Sequence, residues 1–168
     1  MTTLTTDRLL MRLPTAADLD AIAAMWSDPE VVRFIGGKAF TREQSWQRLL
    51  RYVGHWTLFG YGSFTVIDRA TNQFLGDVGV QNFERDIDPP IGRFEAGWVL
   101  TSSAHGRGLA SEALAAVLAW IETKFPGQTT SCIIDTDNAP SQRVAAKAGY
   151  RERTRTTYHD NPVIVLDR

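Results

Sequence analysis

The sequence predicts a mixed α/β fold, with a mostly antiparallel sheet of six or seven strands and helices on both of its faces. Three observations predict it. Apolar residues recur at helical spacing in the first third of the chain, β-branched and aromatic runs follow, and an apolar helix comes directly after a glycine-containing loop. The 168 residues fit a single domain, residues 1–168, which can fold without disulfides or metals.

The composition argues against several classes of function. Hydrophobic residues make up 43% and charged residues 22% of the chain, and the net charge of −1 favours neither nucleic acid nor an anionic membrane as a partner. The single cysteine excludes an internal disulfide, and no Cys/His cluster has the spacing of a zinc site. Because no segment resembles a signal peptide or a membrane span, we expect a cytoplasmic protein without a bound metal.

The first third of the chain predicts one strand and two helices. The strand covers residues 9–13. Thr15 caps a first helix that ends at Asp28, and Thr41 caps a second helix that ends at Gly60. The spacing of apolar residues predicts one buried face on each helix. In the first helix this face consists of Leu19, Ile22, Ala23 and Trp26, and in the second of Trp46, Leu49, Leu50 and Val53.

The rest of the chain predicts six strands and two helices. The strands are placed at residues 63–68, 74–83, 93–100, 131–135, 150–157 and 163–166, and the long helix at 109–124. The first three of these strands have short connections, which predicts an antiparallel meander. Asn138 caps the last helix, with Pro140 in its first turn and Gly149 at its end.

The segment His105-Gly106-Arg107-Gly108-Leu109-Ala110 has the form of an anion-binding loop. It lies between a predicted strand and a helix start, where backbone N–H groups converge and the helix dipole adds positive charge. It lacks the Lys-Ser/Thr ending of a nucleotide-hydrolysing loop and the third glycine of a dinucleotide fingerprint. The loop therefore predicts a pyrophosphate such as that of coenzyme A, although these six residues alone fit a tight strand–helix turn equally well.

Four segments occur in the order expected of one known family. They are Asp7–Leu13, Ser27–Val31, Phe94–Leu100 followed by Gly106–Leu114, and Asp137–Ser141 with Val144, Lys147, Gly149 and Tyr150. Together they resemble the GNAT superfamily of N-acetyltransferases, most closely its RimJ/RimL branch, which acetylates ribosomal proteins. The likeness covers nearly the whole chain and departs from the wider motif at Ser103, where Gln or Arg is common. It implies acetyl-CoA as the cofactor and a GNAT fold whose sheet splays after its fourth strand, beyond Leu100.

The resemblance also implies which residues hold the cofactor. The backbone of Trp98, Val99 and Leu100 would pair with the pantetheine arm. The residues expected around the pyrophosphate are His105, Gly106, Arg107, Gly108, Leu109 and Ala110. For the side chains of His105 and Arg107, a solvated loop position is the alternative. Asn138 would contact the pantetheine in addition to capping its helix.

Glu95 and Ser141 are the catalytic candidates within this resemblance. The attacking amine must be neutral, and an α-amine with a pKa near ~8 needs less help from a base than a lysine with a pKa near ~10.4. Glu95 is expected to be that base, acting through water, with a solvated surface glutamate as the alternative. Ser141, expected near the sulfur, would donate a hydrogen bond to the leaving thiolate. Tyr150 is the alternative donor, although core packing is the more typical use of its position.

Other conspicuous side chains are assigned to packing. Core positions are expected for Cys132, Trp26, Trp46 and Trp120. Trp56, Phe59 and Tyr61 lie at the end of the second helix. Within the resemblance they are candidates for lining an acceptor pocket, with packing as the alternative.

The sequence therefore predicts an acetyl-CoA-dependent N-acetyltransferase that acts on a primary amine. The branch resemblance implies a protein N-terminal α-amine, and a small molecule (a polyamine, an amino acid or an aminoglycoside) is the alternative. A non-catalytic acyl-CoA-binding module would also keep the loop but would need neither Glu95 nor Ser141. A nucleotide-phosphate enzyme is disfavoured by the missing Lys-Ser/Thr. Monomer and homodimer both remain open.

Overall fold

The structure, a computed structural model that describes residues 2–168, contains one eight-stranded sheet and five α-helices. The strands are β1 (Thr3–Thr5), β2 (Leu9–Arg12), β3 (Ser63–Asp68), β4 (Phe74–Gln81), β5 (Glu95–Leu100), β6 (Ser131–Asp135), β7 (Arg151–Tyr158) and β8 (Asn161–Asp167). The helices are α1 (Leu19–Ser27), α2 (Pro29–Val32), α3 (Arg42–Phe59), α4 (Leu109–Lys124) and α5 (Ala139–Lys147), with 3-10 turns at Ala16–Asp18 and Ser102–Ala104. Within residues 2–168, no helix combines the length and apolar character that a membrane span requires.

The strands are ordered β1-β2-β3-β4-β5-β6-β8-β7, and every neighbouring pair except β5–β6 is antiparallel. The mixed, mostly antiparallel sheet and the β3–β4–β5 meander agree with the sequence prediction. Strand β1 and helix α2 do not appear in that prediction, because elements of three and four residues are too short to show a period.

The sheet opens between β5 and β6. These two parallel strands are paired only at Glu95 and Ser131, where the N–H of Ser131 donates to the carbonyl of Phe94 at 2.9 Å. Beyond this point β5 continues along β4 and β6 continues along β8. The splay therefore begins at Glu95 and not beyond Leu100 as expected, because each strand keeps its antiparallel neighbour and the two halves of the sheet twist apart.

Helices lie on both faces of the sheet, because successive side chains of a strand point to opposite sides. On β4, Val78 and Val80 belong to the main core, together with the buried side of α4. Asp77 points to the other face, where the hydroxyl of Tyr52 in α3 donates a hydrogen bond of 2.8 Å to its carboxylate. Helices α1 and α3 therefore cover the face opposite α4.

The buried face of α3 differs from the predicted one. Its buried residues are Ser45, Leu49, Tyr52 and His55, whereas Trp46, Leu50 and Val53 are 38%, 50% and 39% exposed. Of the predicted stripe only Leu49 is confirmed, and the core position expected for Trp46 is also wrong. The physical reason is that this helix covers a polar part of the sheet. Polar side chains therefore occupy its inner face, and the stripe of apolar residues lies to one side of that face.

Candidate active site

The glycine loop has the backbone geometry of an anion cradle. Gly106 and Gly108 have φ angles of +73° and +75°, in the left-handed region that disfavours side chains. Gly108 caps α4, so Leu109 and Ala110 open the first turn, where backbone N–H groups have no partner within the helix. A Cβ placed on Gly106 would meet no atom within 4 Å, so the loop is open there. A helix N-terminus of this form binds phosphate groups.

Arg8 contacts this loop from outside, and two side chains of the loop itself, those of Arg107 and His105, contact neighbouring groups. Arg8 donates a hydrogen bond of 2.9 Å to the carbonyl of Arg107. The guanidinium of Arg107 lies 3.5 Å from Asp68, and about half of the side chain is exposed, so it is held loosely. His105 is bonded through Nε2 to the carbonyl of Leu100 at 3.0 Å, which ties the imidazole to the end of β5.

Among residues 2–168, no strand pairs with one edge of β5 beyond its first residue, Glu95. The carbonyl of Phe94 faces β6, where it accepts from Ser131. The N–H of Thr101 faces β4, where it donates to the carbonyl of Leu75 at 2.8 Å. Since backbone groups of successive residues in a strand alternate in direction, the even-numbered residues of β5 face the gap and the odd-numbered ones face β4.

This alternation decides which of the residues predicted to pair with a pantetheine arm have backbone groups that face the gap. Trp98 and Leu100 face the gap, although the Leu100 carbonyl already accepts a hydrogen bond from His105. Val99 lines the cavity, but its backbone faces β4, so the expectation that this backbone pairs with the pantetheine arm is corrected. Ala96 shares the even alternation and is a gap-facing residue that the sequence prediction did not include.

Asn138 and Ser141 lie where β6 leads into α5. The side-chain carbonyl of Asn138 accepts from the N–H of Ser141 at 3.1 Å, which is the predicted cap. Both residues line the cavity beside the gap, and Tyr150 does not. Tyr150 is buried, its hydroxyl donates to Thr130 at 2.9 Å, and burial raises its pKa. Of the two proton donors considered, the structure brings only Ser141 to the cavity.

Glu95 lies at the point where the sheet opens and is held by an arginine. Arg85 binds both carboxylate oxygens, from Nε to Oε2 and from Nη2 to Oε1, at 2.7 Å each. Burial raises the pKa of Glu95, and the two bonds from Arg85 oppose that effect. Glu95 is only 4% exposed and lines the cavity, so it is not the solvated surface glutamate considered as an alternative. Arg85 comes from the loop after β4, and no sequence pattern pointed to it.

The cavity has a volume of about 690 Å³ and lies between the opened sheet and the α1–α3 face. On its β4 wall is Asp77, which is 6% exposed and accepts the hydrogen bond from Tyr52. Burial raises the pKa of Asp77 to about 6, while the bond from Tyr52 and the charge of Arg48 lower it. The sequence prediction missed these three residues. A lone aspartate within the apolar strand Phe74–Gln81 was the available signal for Asp77.

The aromatic residues expected at the acceptor pocket lie elsewhere. Trp56 donates to the carbonyl of Ser63 at 2.7 Å, and Tyr61 donates to that of Arg93 at 2.9 Å. Neither they nor Phe59 lines the cavity, so the prediction that these residues line an acceptor pocket is wrong. Trp56 and Tyr61 instead pack in the main core. Among the aromatic residues that line it are Trp26, Phe34 and Phe40.

Cys132 is buried as expected. Burial raises the pKa of its thiol, and it does not line the cavity. A thiol in this state is unsuited to act as a nucleophile.

Comparisons with known proteins identify the family to which this fold belongs. Residues 8–151 match a family model described as the acetyltransferase (GNAT) domain. The chain is 30% identical over 151 residues to the uncharacterized N-acetyltransferase YnaD of Bacillus subtilis, covering 88% of this chain and 82% of that one. It is 27% identical over 153 residues to the uncharacterized N-acetyltransferase p20 of Bacillus licheniformis, covering 90% and 84%.

Solved structures show the same fold. A structure described as a GnaT-family acetyltransferase from Bordetella pertussis is 29% identical, with a TM-score of 0.89 and coverage of 100% of this chain and 99% of that one. The ribosomal-protein-S5-alanine acetyltransferase of Vibrio fischeri is 20% identical, with a TM-score of 0.76 and coverage of 100% and 96%. The aminoglycoside acetyltransferase AAC(6')-Ib, solved with coenzyme A, is 16% identical, with a TM-score of 0.75 and coverage of 95% and 94%.

Proposed function

This chain belongs to the acetyltransferase (GNAT) domain family, and we propose that within this family it acetylates a primary α-amine such as a protein N-terminus. It is an N-acetyltransferase that uses acetyl-CoA, as members of the family do. The family membership therefore disfavours the non-catalytic acyl-CoA-binding module and the nucleotide-phosphate enzyme that the loop alone would have allowed.

The arrangement of features along β5 supports this proposal. The strand begins at Glu95 on the cavity wall, continues along the gap beside β6, and leads into the glycine loop. A thioester of coenzyme A needs a phosphate site, a slot with backbone hydrogen-bonding groups, and a reaction chamber in this order. In our proposal β5 and the loop that follows it contribute to all three.

The residues present fit the cofactor. Gly106 is open on its outer side, and a Cβ placed on Gly97 would likewise meet no atom within 4 Å. We assign the pyrophosphate to the amides of Gly106–Ala110, and the pantetheine arm to the gap-facing backbone of β5 and to Asn138. When bound, acetyl-CoA supplies an activated acetyl group that an amine can attack directly. The buried state of Cys132 agrees with direct transfer.

Two side chains would handle protons. Glu95 would accept the amine proton through a water molecule, and the Ser141 hydroxyl would donate a hydrogen bond to the departing sulfur. Burial raises the pKa of Glu95, and the two hydrogen bonds from Arg85 oppose that rise. A carboxylate base suits an α-amine, which is partly neutral near neutral pH, better than it suits a lysine.

The structural relatives do not decide the acceptor. A ribosomal-protein acetyltransferase and an aminoglycoside acetyltransferase share this fold with similar TM-scores. At their level of identity the likeness extends to the fold alone. The proposal for an α-amine therefore depends on the low pKa of such an amine, which lets a carboxylate base suffice, and experiment decides the acceptor class.

A turnover assay tests the proposal. Purified protein, acetyl-CoA and an amine panel would be combined, and release of the coenzyme A thiol would be followed. The panel would include peptides with a free α-amine, N-terminally blocked peptides that contain lysine, polyamines and an aminoglycoside. We expect acetylation at α-amines, located by mass spectrometry, and a loss of roughly 100-fold in Glu95→Gln at neutral pH. Acetylation confined to lysine side chains or polyamines would contradict the α-amine proposal.

A further inference from the structure

Four buried side-chain atoms among residues 2–168 have no hydrogen-bond partner: Trp26 Nε1, Arg48 Nε, Asp77 Oδ2 and Gln81 Oε1. All four residues line the cavity, on the wall formed by α1, α3 and β4. Trp26, Asp77 and Gln81 are more than nine-tenths buried. Trp26 does not count here, because its indole lies near Asp77 as a donor and lowers the pKa of that carboxyl. Because buried polar groups in native proteins are nearly always paired, the atoms of Arg48, Asp77 and Gln81 left unpaired on one wall indicate a polar ligand at this place.

Arg48 places a positive charge on this wall, in a fixed orientation. Its guanidinium lies 3.7 Å from the ring centroid of Trp26 and 4.8 Å from that of Phe40, so the two aromatic rings fix its plane. It forms no ion pair with any described residue, and its nearest carboxylate oxygen is therefore more than 4.0 Å away. A planar guanidinium in this state is suited to bind a carboxylate through two parallel hydrogen bonds.

Asp77 supplies the opposite charge. One of its oxygens, Oδ1, accepts the 2.8 Å hydrogen bond from Tyr52, which fixes the side chain. The other, Oδ2, has no partner and lies on the same wall as the unpaired Oε1 of Gln81. Two acceptors without donors suit a group that carries several N–H bonds, such as an ammonium or amine.

The charges around the cavity argue against a polycation. Three arginines line it: Arg33, Arg48 and Arg85. The lining also contains three carboxylates, those of Asp77, Glu95 and Asp135, so the formal charges of the two sets cancel. A cavity without excess negative charge offers little attraction to a polyamine or an aminoglycoside, each of which carries several positive charges.

We propose that Arg48 and Asp77 form an acceptor-recognition pair that binds a molecule with a carboxylate close to its amine. Arg48 binds the carboxylate, and Asp77, fixed by Tyr52, binds the amine. This inference rests on the proposed acetylation of an α-amine and specifies the acceptor further. The same chemistry occurs in a free α-amino acid and in a peptide whose second residue is acidic.

Paired acceptors test the recognition. We would measure kcat and KM for an α-amino acid and its α-amide, and for two peptides that differ only by Asp or Asn at the second position. The wild type is expected to favour the carboxylate of one pair by about 10-fold or more in kcat/KM, mainly through KM, because a hydrogen bond to a charged group contributes about this factor. The pair that shows the preference identifies the source of the carboxylate.

Variants separate recognition from folding. Arg48→Gln should lower kcat/KM for the carboxylate acceptor by roughly 10- to 100-fold and leave the amide nearly unchanged, and Arg48→Lys should recover part of the loss. Asp77→Asn should raise KM for both members. Arg42→Gln is the control: Arg42 lies in the first turn of α3, its ion pair with Asp20 is exposed, and it does not line the cavity, so the preference should persist.

Two results would overturn the inference: equal losses on both members of a pair in Arg48→Gln, or a wild-type preference for the amide. If no α-amine is acetylated, the proposed function fails separately. Calorimetric titration of the same acids and amides into the protein then decides the inference. Binding of the acid that is lost in Arg48→Gln supports the pair, and no preference for the acid in the wild type refutes it.

Discussion

Arg85 holds Glu95 through two parallel hydrogen bonds of 2.7 Å, and both side chains are largely buried. Removing the cation would leave a buried carboxylate without a partner. We expect Arg85→Met, which keeps most of the apolar stem, to lower the free energy of unfolding by about 3–5 kcal/mol. Chemical denaturation of the purified variant measures this loss.

The double variant is the control for that loss. In Arg85→Met/Glu95→Gln no charge remains to be desolvated, so most of the stability should return. A double variant as unstable as Arg85→Met would show that Arg85 acts through packing, for example against Phe83, whose ring centroid is 4.4 Å from its guanidinium.

Gly106 and Gly127 form a matched pair for testing the loop. Their φ angles are +73° and +76°, and a Cβ on either would meet no atom within 4 Å. Alanine at either position should therefore cost about 1–2 kcal/mol of stability. Only Gly106→Ala should also weaken coenzyme A binding, by roughly 10-fold or more, because it disturbs the amides that we assign to the charged pyrophosphate. Equal affinities in the two variants, measured by calorimetry, would remove the loop from the cofactor site.

The different positions of Ser141 and Tyr150 predict different effects for variants of the two residues. Ser141→Ala should lower kcat by about 10-fold or more while coenzyme A affinity stays at the wild-type level, because in our proposal the hydroxyl acts only on the departing sulfur. Tyr150→Phe should keep kcat and lose about 1 kcal/mol of stability, since its hydroxyl is bonded to Thr130. Steady-state kinetics and thermal melts measure both, and the reverse pattern in kcat would assign the donor role to Tyr150.

Asp77 makes stability depend on pH. Its pKa is raised by burial to about 6, above the ordinary value of about 3.9, so the folded state keeps this proton at pH values where the unfolded chain has released it. This contribution to stability is therefore present below pH 4 and is lost as the pH rises through 6, by roughly 3 kcal/mol.

The variant Asp77→Asn should not show this loss of stability as the pH rises. The variant is expected to match the wild type near pH 4 and to become more stable than it by roughly 3 kcal/mol at pH 7 to 8. Denaturation curves collected across this pH range give the difference directly. Parallel pH profiles of the two proteins would mean that Asp77 titrates normally in the fold.

Leu49 and Leu50 test the orientation of α3. Leu49 is 1% exposed, whereas Leu50 is 50% exposed. Leu49→Ala should lower the unfolding free energy by about 2–5 kcal/mol, and the same change at Leu50 should stay within about 0.5 kcal/mol. Similar losses at the two positions in a denaturation experiment would show that the exposed stripe is covered in solution.

The sequence by itself determined the features that depend on local rules. Side-chain periods located the long helices and the meander strands, and capping residues such as Thr41 and Asn138 marked helix starts. The left-handed glycines of the loop and Gly149, at a φ of +89°, occupy positions that residue type alone indicates. Such features depend on interactions within a few neighbouring residues, so a linear pattern contains them.

Only the tertiary structure decided the chemical state of the site. Tyr52 and Asp77 are 25 residues apart, and no spacing rule relates them. Which side of α3 is buried also depended on the polar wall it covers, not on its own apolar spacing. Burial and the position of each charge set whether a carboxylate is paired, as Glu95 is, or unpaired at one oxygen, as Asp77 is. Desolvation and Coulomb interactions depend on distances in space, and these distances exist only after the chain has folded.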